Sequence, residues 1–128
     1  MTIDDLLEEI DRKHPNNVDK VFKWGKITQM EKYLLDECLK THQISPAEAE
    51  KAAQIAGMET LEAGYEPLAQ PPYQDLYIHY VAAEIAAINA DTDAYGNESA
   101  LYNNALLTYK NYFNRTHRSL DGGQRWRF

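Results

Sequence analysis

The sequence predicts an all-α protein, a small helical bundle dominated by an antiparallel helical hairpin towards its C-terminal end. Three observations point there. Apolar residues recur at i, i+3, i+4 and i+7, as in Ile3, Leu6, Leu7 and Ile10. Helix-start chemistry precedes such stretches, in Thr2 with Asp5 and in Ser45-Pro46 with Glu48. Finally, the stretch 71–120 carries most of the apolar and aromatic mass as two long helical patterns around one short polar turn. A chain of 128 residues fits one domain, expected over residues 1–120. Residues 121–128, with paired glycines before alternating arginines and aromatics, read as a flexible basic and aromatic arm.

In chain order, Thr2 caps a first helix, with Asp5 in the capping-box position and Asp4 favourable to the helix dipole. Pro15 disfavours helical geometry at the residue before it, so this helix should end by His14. A second pattern starts at Val18, with Asn17 as cap and Val18, Val21 and Phe22 on one side. Gly25 interrupts it at a cost of ~1 kcal/mol relative to alanine. The apolar line beyond, Ile27, Met30, Leu34, Cys38 and Thr41, is rotated relative to the first. That predicts one helix bent near Gly25 or two abutting helices, with Trp24 filling the joint.

Ser45, Pro46 and Glu48 start a short helix that runs to Ala56 and stops at Gly57. The following METLEAGYEPLAQPP is rich in proline and should be extended or looped. Leu61, Tyr65 and Leu68 would tack it onto the bundle or form a short edge hairpin.

The third long helix is expected from Tyr73 to Ala90 with two apolar stripes. Ile78, Val81, Ile85 and Ile88 form one; Tyr73, Leu76, Tyr77, Tyr80, Ala83 and Ala87 form the other. The strip left over runs through Asp75, His79, Ala82, Ala86 and Asn89. A helix apolar around most of its circumference is buried on more than one side, and in so small a domain a second copy of the chain is the expected cover. ADTDAYGNES reads as a polar turn in which Asn97 caps a last helix from Glu98 to Thr116. Its core stripe is Tyr102, Ala105, Leu106, Tyr109, Tyr112 and Phe113. The short connection makes the two helices antiparallel.

Charge is unevenly spread. The net value is −7, yet residues 41–109 hold ten acids against one base while residues 110–128 hold five bases against one acid. The acidic body argues against strong binding of nucleic acid, leaving only the basic end to touch an anionic surface. Cys38 is the sole cysteine, which rules out an intrachain disulfide and a cysteine-rich zinc site. His14, His42, His79 and His117 include no i, i+4 pair of metal-ligand type. No glycine-rich phosphate loop and no nucleophile elbow is present. Catalytic, cofactor and metal sites are therefore not expected. No apolar run approaches the ~20 residues of a membrane span. The acidic start MTIDDLLEEI is unlike a secretory signal, which predicts a cytosolic protein.

The stretches Pro72-Tyr73-Gln74-Asp75-Leu76-Tyr77-Ile78-His79-Tyr80, Tyr102-Asn103-Asn104 and Tyr112-Phe113-Asn114-Arg115-Thr116-His117-Arg118 carry a resemblance. Over about residues 71–118, the chain resembles the small head-tail connector, or head-completion, proteins of tailed bacteriophages and prophages of Gram-positive hosts. The resemblance implies a mostly helical protein without catalytic residues or cofactors, made in the bacterial cytoplasm and ending at the virion head-tail junction. It implies a homo-oligomeric ring of about twelve copies beneath the portal, contacting the portal protein and a tail-completion protein. DNA would pass through without specific binding, and no membrane is involved. Tyr77, Tyr80, Tyr102 and Tyr109 would be scaffold, and the end around Arg115 and Arg118 a docking region.

The residues themselves extend this reading. Tyrosine combines apolar area with a water-tolerant hydroxyl, so Tyr73, Tyr77, Tyr80, Tyr102, Tyr109 and Tyr112 fit subunit contacts or an aromatic core. Arg125, Trp126, Arg127 and Phe128 are typical interface anchors and are expected to reach a portal or a neighbouring subunit. The alternative is a small helical DNA-binding regulator of a mobile element, but its basic cluster would lie at a helix end and in the tail, not along a recognition helix.

Overall fold

A computed structural model of the chain describes residues 1–60 and 62–120. Among these lie five α-helices, one π-helical turn and no β-strand, a small all-α fold. The helices are α1 (Ile3–Lys13), α2 (Lys20–Leu34), α3 (Pro46–Ala56), α4 (Asp75–Ile88) and α5 (Thr92–Thr116), and α2 runs on into the π-turn Leu35–Leu39.

Helix α1 forms as its capping chemistry dictates. The Asp5 N–H donates to the Thr2 hydroxyl at 3.3 Å, and the Thr2 N–H donates to the Asp5 carboxylate at 3.0 Å. Ile3, Leu6, Leu7 and Ile10 are all buried. Helix α3 repeats the pattern: Ser45 and Glu48 complete a second capping box, and Gly57 ends the helix.

Between α1 and α2 the expectation needs correction. Asp19, not Asn17, is the cap, its carboxylate accepting from the Val21 N–H at 3.1 Å. The reason is Asn16, whose side-chain amide donates to the His14 carbonyl while its oxygen accepts from the Val18 N–H. That turn keeps Val18 out of the helix, and Val21 ends on the outside, 70% exposed. Nor does α2 break at Gly25, where an added Cβ would meet nothing within 4 Å. The chain corrects its apolar register at the π-turn instead, where the looser winding holds Leu35, Cys38 and Leu39 in the core and leaves Thr41 exposed. Trp24 fills no joint; it packs against the core with Lys20 Nζ 5.2 Å from its ring.

Residues 58–74 form a loop rather than a hairpin, and Leu61 lies outside the described residues. What fixes this loop is a charged residue in the core. Glu31 is fully buried, and its carboxylate accepts from the Tyr65 hydroxyl at 2.6 Å, the Leu68 N–H at 3.0 Å and the Tyr77 hydroxyl. Tyr77 in turn accepts from the Ala69 N–H at 3.0 Å. Burial pushes the Glu31 carboxyl above its ordinary range, against the pull of the Tyr65, Tyr77 and Leu68 donors. Lys51 adds a clamp from α3, donating to the Glu66 carbonyl and lying 4.4 Å from the Tyr65 ring centre.

Helix α4 is the centre of the bundle. Leu76, Tyr77, Ile78, Val81, Ala82, Ala83, Ile85 and Ala86 are buried, including two alanines from the strip assigned to neither stripe. Helices α1, α2 and α5 of the same chain pack around it. The double stripe is thus covered from within, and it no longer argues for a second copy. Apart from Asp75 at its start, the helix is exposed only at its end, at Ala87 and Ile88, with Ile88 53% exposed.

The hairpin connection is shorter than ADTDAYGNES. Helix α5 starts at Thr92, capped by Asp91, whose carboxylate accepts from the Ala94 N–H at 3.1 Å. Gly96 and Asn97 are inside the helix, so Asn97 is not its cap. The reversal is made at Ala90, in the left-handed region at φ 55°. Packing against α4 outweighs the modest helix penalty of one glycine and one asparagine.

At the other end of α5 the chain is pinned back. The Gln43 N–H donates to the Arg118 carbonyl at 2.7 Å, and the Leu120 N–H to the Thr41 carbonyl at 3.0 Å. No described helix is long and apolar enough to cross a membrane.

Candidate interaction surfaces

Five of the six tyrosines form two aromatic groups within one chain, and the sixth, Tyr77, bonds Glu31 instead. Tyr73 stacks on Tyr112 with ring centres 4.5 Å apart and meets Tyr109 edge-on at 5.9 Å, while Tyr80 and Tyr102 pack at 5.2 Å. Tyr77 and Tyr109 are buried, so these two act as scaffold; Tyr73, Tyr80, Tyr102 and Tyr112 are half-buried. Burial pushes the Tyr102 hydroxyl up to about 12 and the Tyr109 hydroxyl higher, so both are protonated donors at neutral pH.

The histidines tie helices together. His79 Nδ1 and His14 Nε2 approach the same Glu98 oxygen at 2.9 and 3.5 Å, which joins α4 and the end of α1 to α5. His117 stacks on Phe113 and reaches Glu48 of α3 at 2.7 Å. His42 Nε2 meets Asn114 Oδ1 at 2.7 Å. Among the described residues no histidine, cysteine or carboxylate group is arranged to hold a metal ion. Burial pushes the Cys38 thiol up to about 11, which keeps it a neutral core residue at pH 7.

Two concavities stand at opposite ends of the hairpin. The larger, about 330 Å³, lies at the α4–α5 turn and is lined by Glu84, Ala86, Ala87, Ala90, Asp91, Thr92 and Tyr95. Tyr95, about half exposed, completes its apolar lining beside two carboxylates, and Ile88, also half exposed, ends α4. Lys26 lies beside it, 3.7 Å from Glu84. The second, about 210 Å³, includes Glu48, Lys51, Glu66, Tyr109, Tyr112 and His117. There Glu48 faces His117, and Lys51 donates to the Glu66 backbone carbonyl.

Arg115 and Arg118 are exposed at the end of α5, and neither enters an ion pair among the described residues. Arg125, Trp126, Arg127 and Phe128 lie outside the described residues. Sequence reasoning missed both the Glu31 cluster and the groove at the α4–α5 turn. Glu31 was detectable, because it falls between Ile27 and Leu34 on the core-facing arc of α2. The groove had no such signal, since its shape depends on where α5 begins. Comparison with protein-family profiles, curated proteins and solved structures finds no match for this chain.

Proposed function

We propose that this protein is a structural connector of a tailed phage or prophage, assembling as a ring beneath the portal and extending the DNA channel. The ring would form in the bacterial cytoplasm and finish at the virion head-tail junction. The observation that carries the reading is the polarity of the α4–α5 hairpin. An acidic groove with exposed Ile88 and Tyr95 stands at one end, and the exposed arginines Arg115 and Arg118 stand at the other. Opposite charges at opposite ends favour head-to-tail association, which closes into a ring when the rotation permits. The resemblance of residues 71–118 to head-tail connectors supplies the biological setting. No reaction is needed by this function. The acidic body also suits a conduit, because a small counterion-release term lets DNA slide.

The DNA-binding regulator is less well supported. Lys110, the basic residue one turn before Arg115, is engaged with Tyr33 and Glu37, so α5 offers no continuous basic face. Mixing the purified chain with the portal ring of its element and imaging the product by electron microscopy tests the connector reading. A second ring stacked on the portal is the expected outcome. A chain that neither binds the portal nor forms a ring, yet binds duplex DNA in a salt-sensitive, sequence-selective way, overturns it.

A further inference from the structure

We infer that the groove at the α4–α5 turn receives the segment Arg125-Trp126-Arg127-Phe128 from a second copy of this chain. The inference rests on the connector reading for its setting and adds the contact that would link neighbouring subunits. Chemistry selects the ligand class first. The groove presents alanine methyl groups from Ala86, Ala87 and Ala90 together with the carboxylates of Glu84 and Asp91. A matching ligand has a flat apolar group flanked by cations. The sequence Arg125-Trp126-Arg127 has that pattern, an indole between two guanidiniums, and Phe128 follows for the exposed Ile88 and Tyr95. Guanidinium groups pair well with carboxylates through paired N–H donors.

Reach then decides whose segment it is. Leu120 is held to Thr41, and neighbouring His42 meets Asn114, so Leu120 stands near the level of Asn114 on α5. The groove is at Asp91 and Thr92, about 33 Å away along the helix at ~1.5 Å per residue. Five fully extended residues carry Arg125 at most ~18 Å from Leu120, and seven carry Arg127 at most ~25 Å. Arg125 does not reach the groove of its own chain, and Arg127 does so only with backbone and side chain both fully extended, the conformation of highest entropic cost. The second cavity is closer, but its Glu48 carboxylate already faces His117 and its lining includes the cation Lys51, which disfavours arginine there. The contact is therefore heterologous, with the basic end of one copy on the acidic end of the next.

The test uses the full chain with p-benzoylphenylalanine in place of Trp126, mixed with isotope-labelled unsubstituted chain, irradiated and mapped by mass spectrometry. The expected product joins position 126 of one chain to residues 87–95 of the other. Ala87→Arg, at an exposed helical site, should lower its yield about tenfold, and Arg125→Ala with Arg127→Ala should do the same. Cross-links confined to one chain, cross-links that map to Tyr109 and Tyr112, no inter-chain product at all, or an undiminished yield in Ala87→Arg each overturn the inference. Portal binding is scored separately. The inter-chain product without portal binding sinks the connector reading alone, and portal binding without the product sinks this inference alone.

Discussion

Helices α4 and α5 form one hairpin and meet opposite fates. More than half of α4 is buried, whereas only Tyr109 and Phe113 are buried in the 25 residues of α5. The sequence of α4 is the more apolar, and its position explains the rest: α1, α2 and α5 enclose it, while α5 covers one side of the bundle. A helix apolar all round is thus here the hub of its own domain, and most of the hairpin's exposed surface belongs to α5 and the turn.

The comparison is broken most directly by paired truncations. Leu76→Ala, at a fully buried position of α4, should cost about 3 kcal/mol, whereas Leu107→Ala, 58% exposed on α5, should stay within about 0.5 kcal/mol. Urea denaturation of both variants checks the difference, and equal losses would mean that α5 is covered as deeply as α4.

Glu31→Ala tests whether the loop beside α4 depends on its buried carboxylate. It strands the Tyr65 and Tyr77 hydroxyls and the Leu68 N–H, and a loss of about 3 kcal/mol is expected. Hydrogen exchange should rise first at Leu68 and Ala69, and unchanged protection there would refute the anchoring role.

A smaller effect, about 1 kcal/mol, is expected from Glu48→Gln, which weakens the α3 capping box and the His117 contact that holds α5. Burial alone would raise the Glu48 carboxyl, but the Ser45 N–H and the His117 ring outweigh it and hold the group below its ordinary 4.5. A lowered folded-state value means that the stabilisation is present above 4.5 and is lost as pH falls through that lower value. The gap between wild type and Glu48→Gln should therefore close on acidification below 4.5, as chemical denaturation at stepped pH would reveal.

The smallest change should be a gain. Gly25→Ala and Gly96→Ala replace helix-interior glycines that have open space at Cβ, and each should add about 0.5–1 kcal/mol. A rise in thermal midpoint without change in helix content checks it. A loss at either site would show that its glycine serves a close approach.

Local signals were the legible ones. The capping boxes at Thr2 and Ser45 and the stripe of α1 are encoded within a few neighbouring residues, and they stand in the fold as written. The errors arose where tertiary packing overrides a local cue. Gly25 and Gly96-Asn97 resemble breaks, yet both lie inside helices whose packing against neighbouring helices outweighs their modest penalty. The second cover for α4 came from the same chain because α1 and α2 fold back on it, which no periodicity within α4 encodes. Of the candidate surfaces, Arg115 and Arg118 were readable as an exposed basic end, but the groove at Ala87 and Asp91 needed the true start of α5.

The π-turn at Leu35–Leu39 has reach beyond its own five residues. One residue fewer there would swing the following backbone by about 100°, carrying Thr41 and Gln43 away from Leu120 and Arg118. The origin of the C-terminal segment is thus specified by a winding defect in the first half of the chain. In that sense a local change of winding couples distant parts of the chain, because the placement of Arg118 and Leu120 depends on residues 35–39.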